Sequence, residues 1–191
     1  MSLTKVVMSS SVKSLGNALD GATEITEIIL PIDGGIKAEN GFLTNGKDTI
    51  YSVYGNLVLD NGTLVIPEGI TTLGDKAFMG YTNIKTVVLP STISSIGVKA
   101  FANCTSLEKV VFTKGTPSLF EISGRAFENC VALKSIDLPA NLETISYYAF
   151  ANSGLESIKI PATVSTLGGH AIELNGITMR EYDYGKSFDS C

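Results

Sequence analysis

The residues with the most chemistry to offer are few and scattered. The chain holds one histidine, His170, and three cysteines, Cys104, Cys130 and Cys191. A hydrolase needs a nucleophile set against a base, and here a single imidazole would have to serve alone. No Cys-x-x-Cys, His-Glu-x-x-His or glycine-rich phosphate loop occurs in the sequence. An odd number of thiols at this spacing does not make a disulfide framework. Acidic residues form no recurring pair that could divide acid and base roles. The expectation is a protein that is not an enzyme and needs no metal or cofactor.

The surroundings of these residues explain their placement better than catalysis does. His170 stands immediately before an alanine, as do Lys76, Lys99, Arg125 and Tyr148. Cys104 and Cys130 close the phrases SSIGVKAFANC (Ser94 to Cys104) and EISGRAFENC (Glu121 to Cys130). Two sister phrases, TTLGDKAFMGY and TISYYAFANS, close on Tyr81 and Ser153. The first column reads as a solvent-facing ridge and the second as stacked, half-buried thiols beneath a sheet.

The phrase sets a period. Phe78, Phe101, Phe127 and Phe150 are separated by 23, 26 and 23 residues, and Ile172 follows after 22. Apolar anchors recurring at this interval are the mark of a leucine-rich solenoid. Each unit contributes an apolar triplet: Ile84-Val87-Leu89, Leu107-Val110-Phe112, Leu133-Ile136-Leu138 and Leu155-Ile158-Ile160. The last two members lie two apart, the alternation of a strand with one buried face. Pro67, Pro90, Pro139 and Pro161 mark the strand ends, since proline cannot donate to the ladder, and Thr113 takes that place once. Inward aliphatics then follow at Ile70, Ile93, Leu119, Leu142 and Val164, and again at Leu73, Ile96, Ile122, Ile145 and Leu167.

The next residue is always small: Gly74, Gly97, Ser123, Ser146 or Gly168. A tight turn stacked on its neighbours leaves no room there. Two residues past each phenylalanine come Gly80, Asn103, Asn129 and Asn152, types that tolerate positive φ. Each coil is therefore expected to run strand, proline corner, tight turn, one short helical turn, left-handed residue, and strand again. A degenerate unit spans Val12 to Pro31, with Leu15, Gly16, Leu19, Gly21 and Ile25-Ile28-Leu30 in the corresponding columns.

The pattern L..V.LP..I..IG..AF.NC.SL, strong from Thr63 to about Ile177, resembles the leucine-rich repeats of BspA-type bacterial surface proteins. The stretch GFLTNGK, beginning at Gly41, is similar to an insert those arrays carry between repeats. The resemblance implies an α/β, right-handed solenoid with a parallel β-sheet, used for recognition or adhesion at a microbial cell surface or in secreted form. A cytoplasmic scaffold or a spacer with the same fold is the alternative, mildly favoured by the unpaired thiols.

Four segments of one solenoid domain follow: a degenerate N-terminal repeat or cap at 1–31, a hairpin insert at 32–62, the array at 63–178, and a cap or tail at 179–191. The insert offers turns at Asn45-Gly46-Lys47-Asp48 and Asp60-Asn61-Gly62. The third full unit carries three extra residues between Thr113 and Phe120, read as a bulged loop. Arg180 falls where Ile158 stands, which predicts that the ladder ends near Ile177.

Charge and hydropathy narrow the partners. A formal charge of −5 on 191 residues argues against nucleic acid. No apolar run reaches the ~18 residues of a membrane-spanning helix. On the open sheet face, the outward column runs Ile29, Val65, Val88, Val111, Asp137, Lys159, flanked by Lys85, Thr86, Glu108 and Lys109. Aliphatic stripes of this kind mark interaction sites, so this face is the expected contact for a protein or glycan partner, or for self-association. The basic ridge of Lys76, Lys99 and Arg125 is a second candidate, for an anionic ligand.

Overall fold

The structure is a computed structural model that describes residues 5–7, 27–29, 37–39, 42–45, 47–53, 59–113 and 117–172, with the backbone alone at 27–29, 37–39 and 51–53. Most of the Val12 to Pro31 unit, Gly46, the loop at 114–116, Ile177, Arg180, the tail and Cys191 lie outside the described residues.

Among the described residues, chain order gives thirteen strands. β1 (Lys5–Val7) pairs in parallel with β2 (Glu27–Ile29). The insert contributes β3 (Lys37–Glu39), β4 (Phe42–Thr44) and β5 (Thr49–Val53), an antiparallel meander. The array supplies β6 (Thr63–Val65), β7 (Thr72–Leu73), β8 (Thr86–Leu89), β9 (Ser95–Ile96), β10 (Lys109–Phe112), β11 (Glu121–Ile122), β12 (Thr144–Ile145) and β13 (Thr166–Leu167).

Two parallel sheets, not one, flank the core. β6, β8 and β10 form the first, in the register Thr63–Thr86–Lys109 and Val65–Val88–Val111. The second runs β13-β12-β11-β9-β7 and continues through β5 into the meander. Its members were expected as tight turns. At every coil an outward Thr, Ser or Glu precedes the inward aliphatic, and Thr72, Ser95, Glu121, Thr144 and Thr166 stand in one rank. The small-residue column packs as expected: a Cβ on Gly97 would meet the Asp75 nitrogen at 2.6 Å.

The third side is where the expected helical turn does not form. Among the described residues there is no helix. Lys76, Lys99, Arg125, Tyr148 and His170 all adopt positive φ, between 53° and 60°, and a left-handed residue interrupts any right-handed helical run. Gly80, Asn103, Asn129 and Asn152 are left-handed too, as their types suggested. Between these points, donors alternate. Ala77 and Met79 donate within the coil to Gly74 and Lys76, while Lys76, Phe78 and Gly80 donate to Val98, Ala100 and Ala102 of the next coil, each at 2.8 Å. The pattern repeats in the following coils, as with Phe101 to Ala126 and Phe127 to Ala149.

This geometry brings the phenylalanines into a stack. Phe78, Phe101, Phe127 and Phe150 are fully buried, with successive ring centroids 5.1, 5.5 and 5.4 Å apart and planes within 7° of parallel. Parallel-displaced rings at such distances attract beyond their burial. Phe42 of the meander closes one end edge-on, at 6.2 Å and 73°. The meander turn is held by Asn45, whose Oδ1 accepts from the backbone N–H groups of Lys47, Asp48 and Thr49. At the second expected turn, Asn61 and Gly62 both take positive φ (48° and 75°), and Thr63 N–H donates to Asp60 C=O. That is the primed turn a tight hairpin requires.

Candidate functional site

The outward face of the three-stranded sheet follows from strand alternation. Leu64, Val87 and Val110 point into the core and are buried, so Val65, Val88 and Val111 must point away from it. Val65 is 57% exposed, whereas Val88 and Val111 are half-buried. The flanking Lys85, Glu108 and Lys109 are exposed and Thr86 is half-buried. The three valines sit side by side because their strands are bonded in register.

The expected six-member stripe does not continue past them. No backbone hydrogen bond joins β10 to the stretch 135–138 among the described residues, and Asp137 and Lys159, both exposed, meet each other only in an isolated bridge. The ladder stops at the coil that the extra residues after Thr113 lengthen to 26. Phe112, Leu138 and Ile160 are correspondingly only partly buried. At the other end, Ile29 lies in β2, which pairs with β1 and is not bonded to β6. The strands of the insert, β3 to β5, do not join this sheet either, since β5 pairs with β7 of the second sheet; only the Asp60–Gly62 turn that leads into β6 touches it, Gly62 C=O accepting from the N–H groups of Lys85 and Thr86.

The thiols sit deeper than expected. Cys104 and Cys130 are fully buried, and their S–H groups donate to the Phe78 and Phe101 carbonyls at 3.1 and 3.2 Å. Burial pushes the Cys104 thiol up to about 12, and neighbouring backbone hydrogen bonds offset this only in part. Burial raises Cys130 as well. A protonated, enclosed thiol is a poor nucleophile and a poor metal ligand. Among the described residues no group of three or more His, Cys, Asp or Glu could hold a metal ion.

The basic ridge is present as a column. Lys76, Lys99 and Arg125 are half-buried on the turn side, one per coil. Its continuation carries contacts that the column spacing did not suggest. The Arg125 guanidinium lies 5.0 Å from the Tyr148 ring centroid and 6.0 Å from that of Tyr147. Tyr148 stacks on His170 at 4.9 Å, and Tyr147 meets Tyr148 edge-on at 6.3 Å. The available signal was the Tyr-Tyr pair one coil after an arginine, the only repeat in which two aromatics occupy these adjacent columns.

The repeat and its fold have known relatives. The family described as BspA type leucine rich repeat region matches residues 54–178, in six copies. A leucine rich repeat protein of T. pallidum is 28% identical at a TM-score of 0.56, over 63% of this chain and 56% of that one. A leucine-rich repeat protein from Eubacterium ventriosum is 25% identical at a TM-score of 0.60, over 97% of this chain and 62% of that one. A leucine rich cell surface protein from Faecalibacterium prausnitzii, 24% identical, shares the fold at a TM-score of 0.70, over 88% of this chain and 48% of that one. The chain thus spans between 48% and 62% of the length of these solved relatives. No curated protein sequence matches it.

Proposed function

This chain belongs to the BspA-type leucine-rich repeat family, and on that premise we propose that it is a recognition module that docks a protein partner through the outward face of β6, β8 and β10. The observation that carries the reading is the rank Val65–Val88–Val111, held in register by the ladder and bordered by Lys85, Glu108 and Lys109. An apolar centre with a charged rim is the anatomy of a contact surface. Self-association through the same rank is the homotypic form of this contact.

The reading puts the chain at a microbial cell surface, in an adhesive role. The relative from Faecalibacterium prausnitzii is described as a cell surface protein, which supports that location. The thiols do not weigh against it, because Cys104 and Cys130 are enclosed and held protonated. They neither favour nor require a reducing compartment.

The test pairs location with contact. Antibody against the protein is expected to label intact source cells as strongly as permeabilised ones. On a panel of immobilised host matrix proteins, Val88→Lys/Val111→Lys should lose retention shown by the unaltered protein, with Tm changed by only a few degrees. Signal confined to permeabilised cells, or a double variant that binds normally, overturns the reading.

A further inference from the structure

A second surface, on the opposite side of the coil from the sheet, is built around Tyr147. Its side chain leans back over the preceding coil, and the position beneath it is Gly124. A Cβ there would strike the Tyr147 ring at 2.5 Å, so only glycine lets the ring lie flat. The corresponding residue in the following coil is Gly169, where an added Cβ would meet nothing within 4 Å. That position therefore contributes no side chain over the ring. Tyr147 is 47% exposed as a result. A flat aromatic face is left open on a rigid turn.

The polar groups around that face are as specific as the ring. The Arg125 guanidinium packs beside both the Tyr147 and Tyr148 rings, and Tyr148 is itself seated on His170. The arginine is thereby pre-oriented, which lowers the entropy lost when its planar fork engages a ligand. Its one ion pair among the described residues is a 3.8 Å contact with Glu128, a long reach for a group with five donors. Lys99 continues the cationic column one coil away.

An aromatic face beside a fixed guanidinium suits a ligand with an apolar ring face and a carboxylate on its rim. We propose that the shelf formed by Tyr147, Arg125, Tyr148 and His170 is a binding site for an acidic saccharide. The sugar's C–H face would lie on the Tyr147 ring while its carboxylate pairs with Arg125. One coil step, 5.1–5.5 Å in the adjoining phenylalanine stack, is comparable to one sugar unit of an extended chain. A polymer running along the ridge would then place its next charged unit near Lys99. This site is independent of the sheet face, and either can fail without the other.

The probes are tetragalacturonate, a sialylated trisaccharide, and the methyl esters of both, titrated against the intact chain. At least one acidic probe should bind, with its ester weaker by about tenfold. Tyr147→Ala should weaken that binding by roughly tenfold, and Tyr147→Phe, which keeps the ring face, should bind like the unaltered protein. Arg125→Gln should erase the preference for acid over ester. Thermal unfolding within a few degrees of the parent verifies that the variants are folded, and the exposed position of Tyr147 makes that the expected result. Failure of both acidic probes to bind overturns the proposal, as does binding unaffected by Tyr147→Ala. Competition by a poly-glutamate peptide that is lost in the same variants overturns it in favour of an acidic peptide.

Discussion

The turn side and the sheet side of this solenoid answer the same insertion differently. On the turn side, Phe101 and Phe127 remain stacked at 5.5 Å, although 26 residues separate them instead of 23. On the sheet side, the ladder that joins β6, β8 and β10 stops there. The turn is only a few residues wide, and each coil locks to the next through a ring, a small residue and alternate backbone donors. On the strand side the three extra residues of this coil follow Thr113. Continuity is thus enforced along one wall, while the opposite wall is free to change, and that wall carries the proposed partner face.

The largest expected effect tests which wall carries the stability. Phe127→Ala should cost about 3–5 kcal/mol in denaturant unfolding, as large aromatic truncations in cores do. Val111→Ala on the sheet face should cost well under half as much. Comparable losses would show that both walls are equally structural and break the contrast.

An intermediate effect appears with pH. Cys104 rises from its ordinary 9.0 to about 12, chiefly through burial. Tyr81, in the same column one coil earlier, rises from 10.0 to about 12 by burial and by the charge Cys104 would carry. Both groups hold their protons longer in the fold than in the unfolded chain. Their contribution is complete below about pH 9 and is lost as pH climbs towards 12. Cys104→Ala should flatten that alkaline decline in a Tm-against-pH series. An unchanged slope would mean the thiol is not enclosed as described.

The smallest effect lies two coils beyond Cys104 in the same column. Ser153 is buried, and its hydroxyl has no hydrogen-bond partner among the described residues, where Cys104 and Cys130 donate to carbonyls of the preceding coil. An unsatisfied buried hydroxyl costs about 1–3 kcal/mol. Ser153→Cys should therefore raise stability by about 1 kcal/mol. A loss would show that the serine sits in a site the thiol does not fit.

Much of this architecture is legible in the sequence, for physical reasons that differ by residue. Phe101 and Phe127 announce the core because burial demands one large apolar group per coil. Gly97 announces the close approach because no other residue fits. Asn103 and Asn129 announce positive φ because their types tolerate it, and Asn129 Nδ2 even donates to Asn103 Oδ1 at 2.7 Å. The second left-handed column stays hidden because lysine, arginine and tyrosine, which fill four of its five positions, do not favour that region. Neighbouring coils impose it through their hydrogen bonds. Two-residue strands such as β9 escape notice because so short a run carries almost no periodicity. The interruption after β10 was visible only as three extra residues, and the shelf at Tyr147 depends on two glycines, Gly124 and Gly169, whose effect is felt across coils.

The alternating donors of the turn have an electrostatic consequence of their own. The peptide joining Val98 to Lys99 accepts from Lys76 through its carbonyl and donates to Gly124 through its N–H. The Gly124–Arg125 peptide repeats this towards Tyr147, and the Tyr147–Tyr148 peptide towards Gly169. Two parallel files run beside it, through Ala100–Phe101 and Ala102–Asn103. Every amide in the three files points the same way, so their dipoles add along the long axis as those of a helix add along its own, and each bond polarises the next. The wall is in effect a polarised rod, with its amide-hydrogen pole at the coil of His170 and its carbonyl pole at the coil of Lys76. Two such rods meeting end to end would attract head to tail and repel head to head.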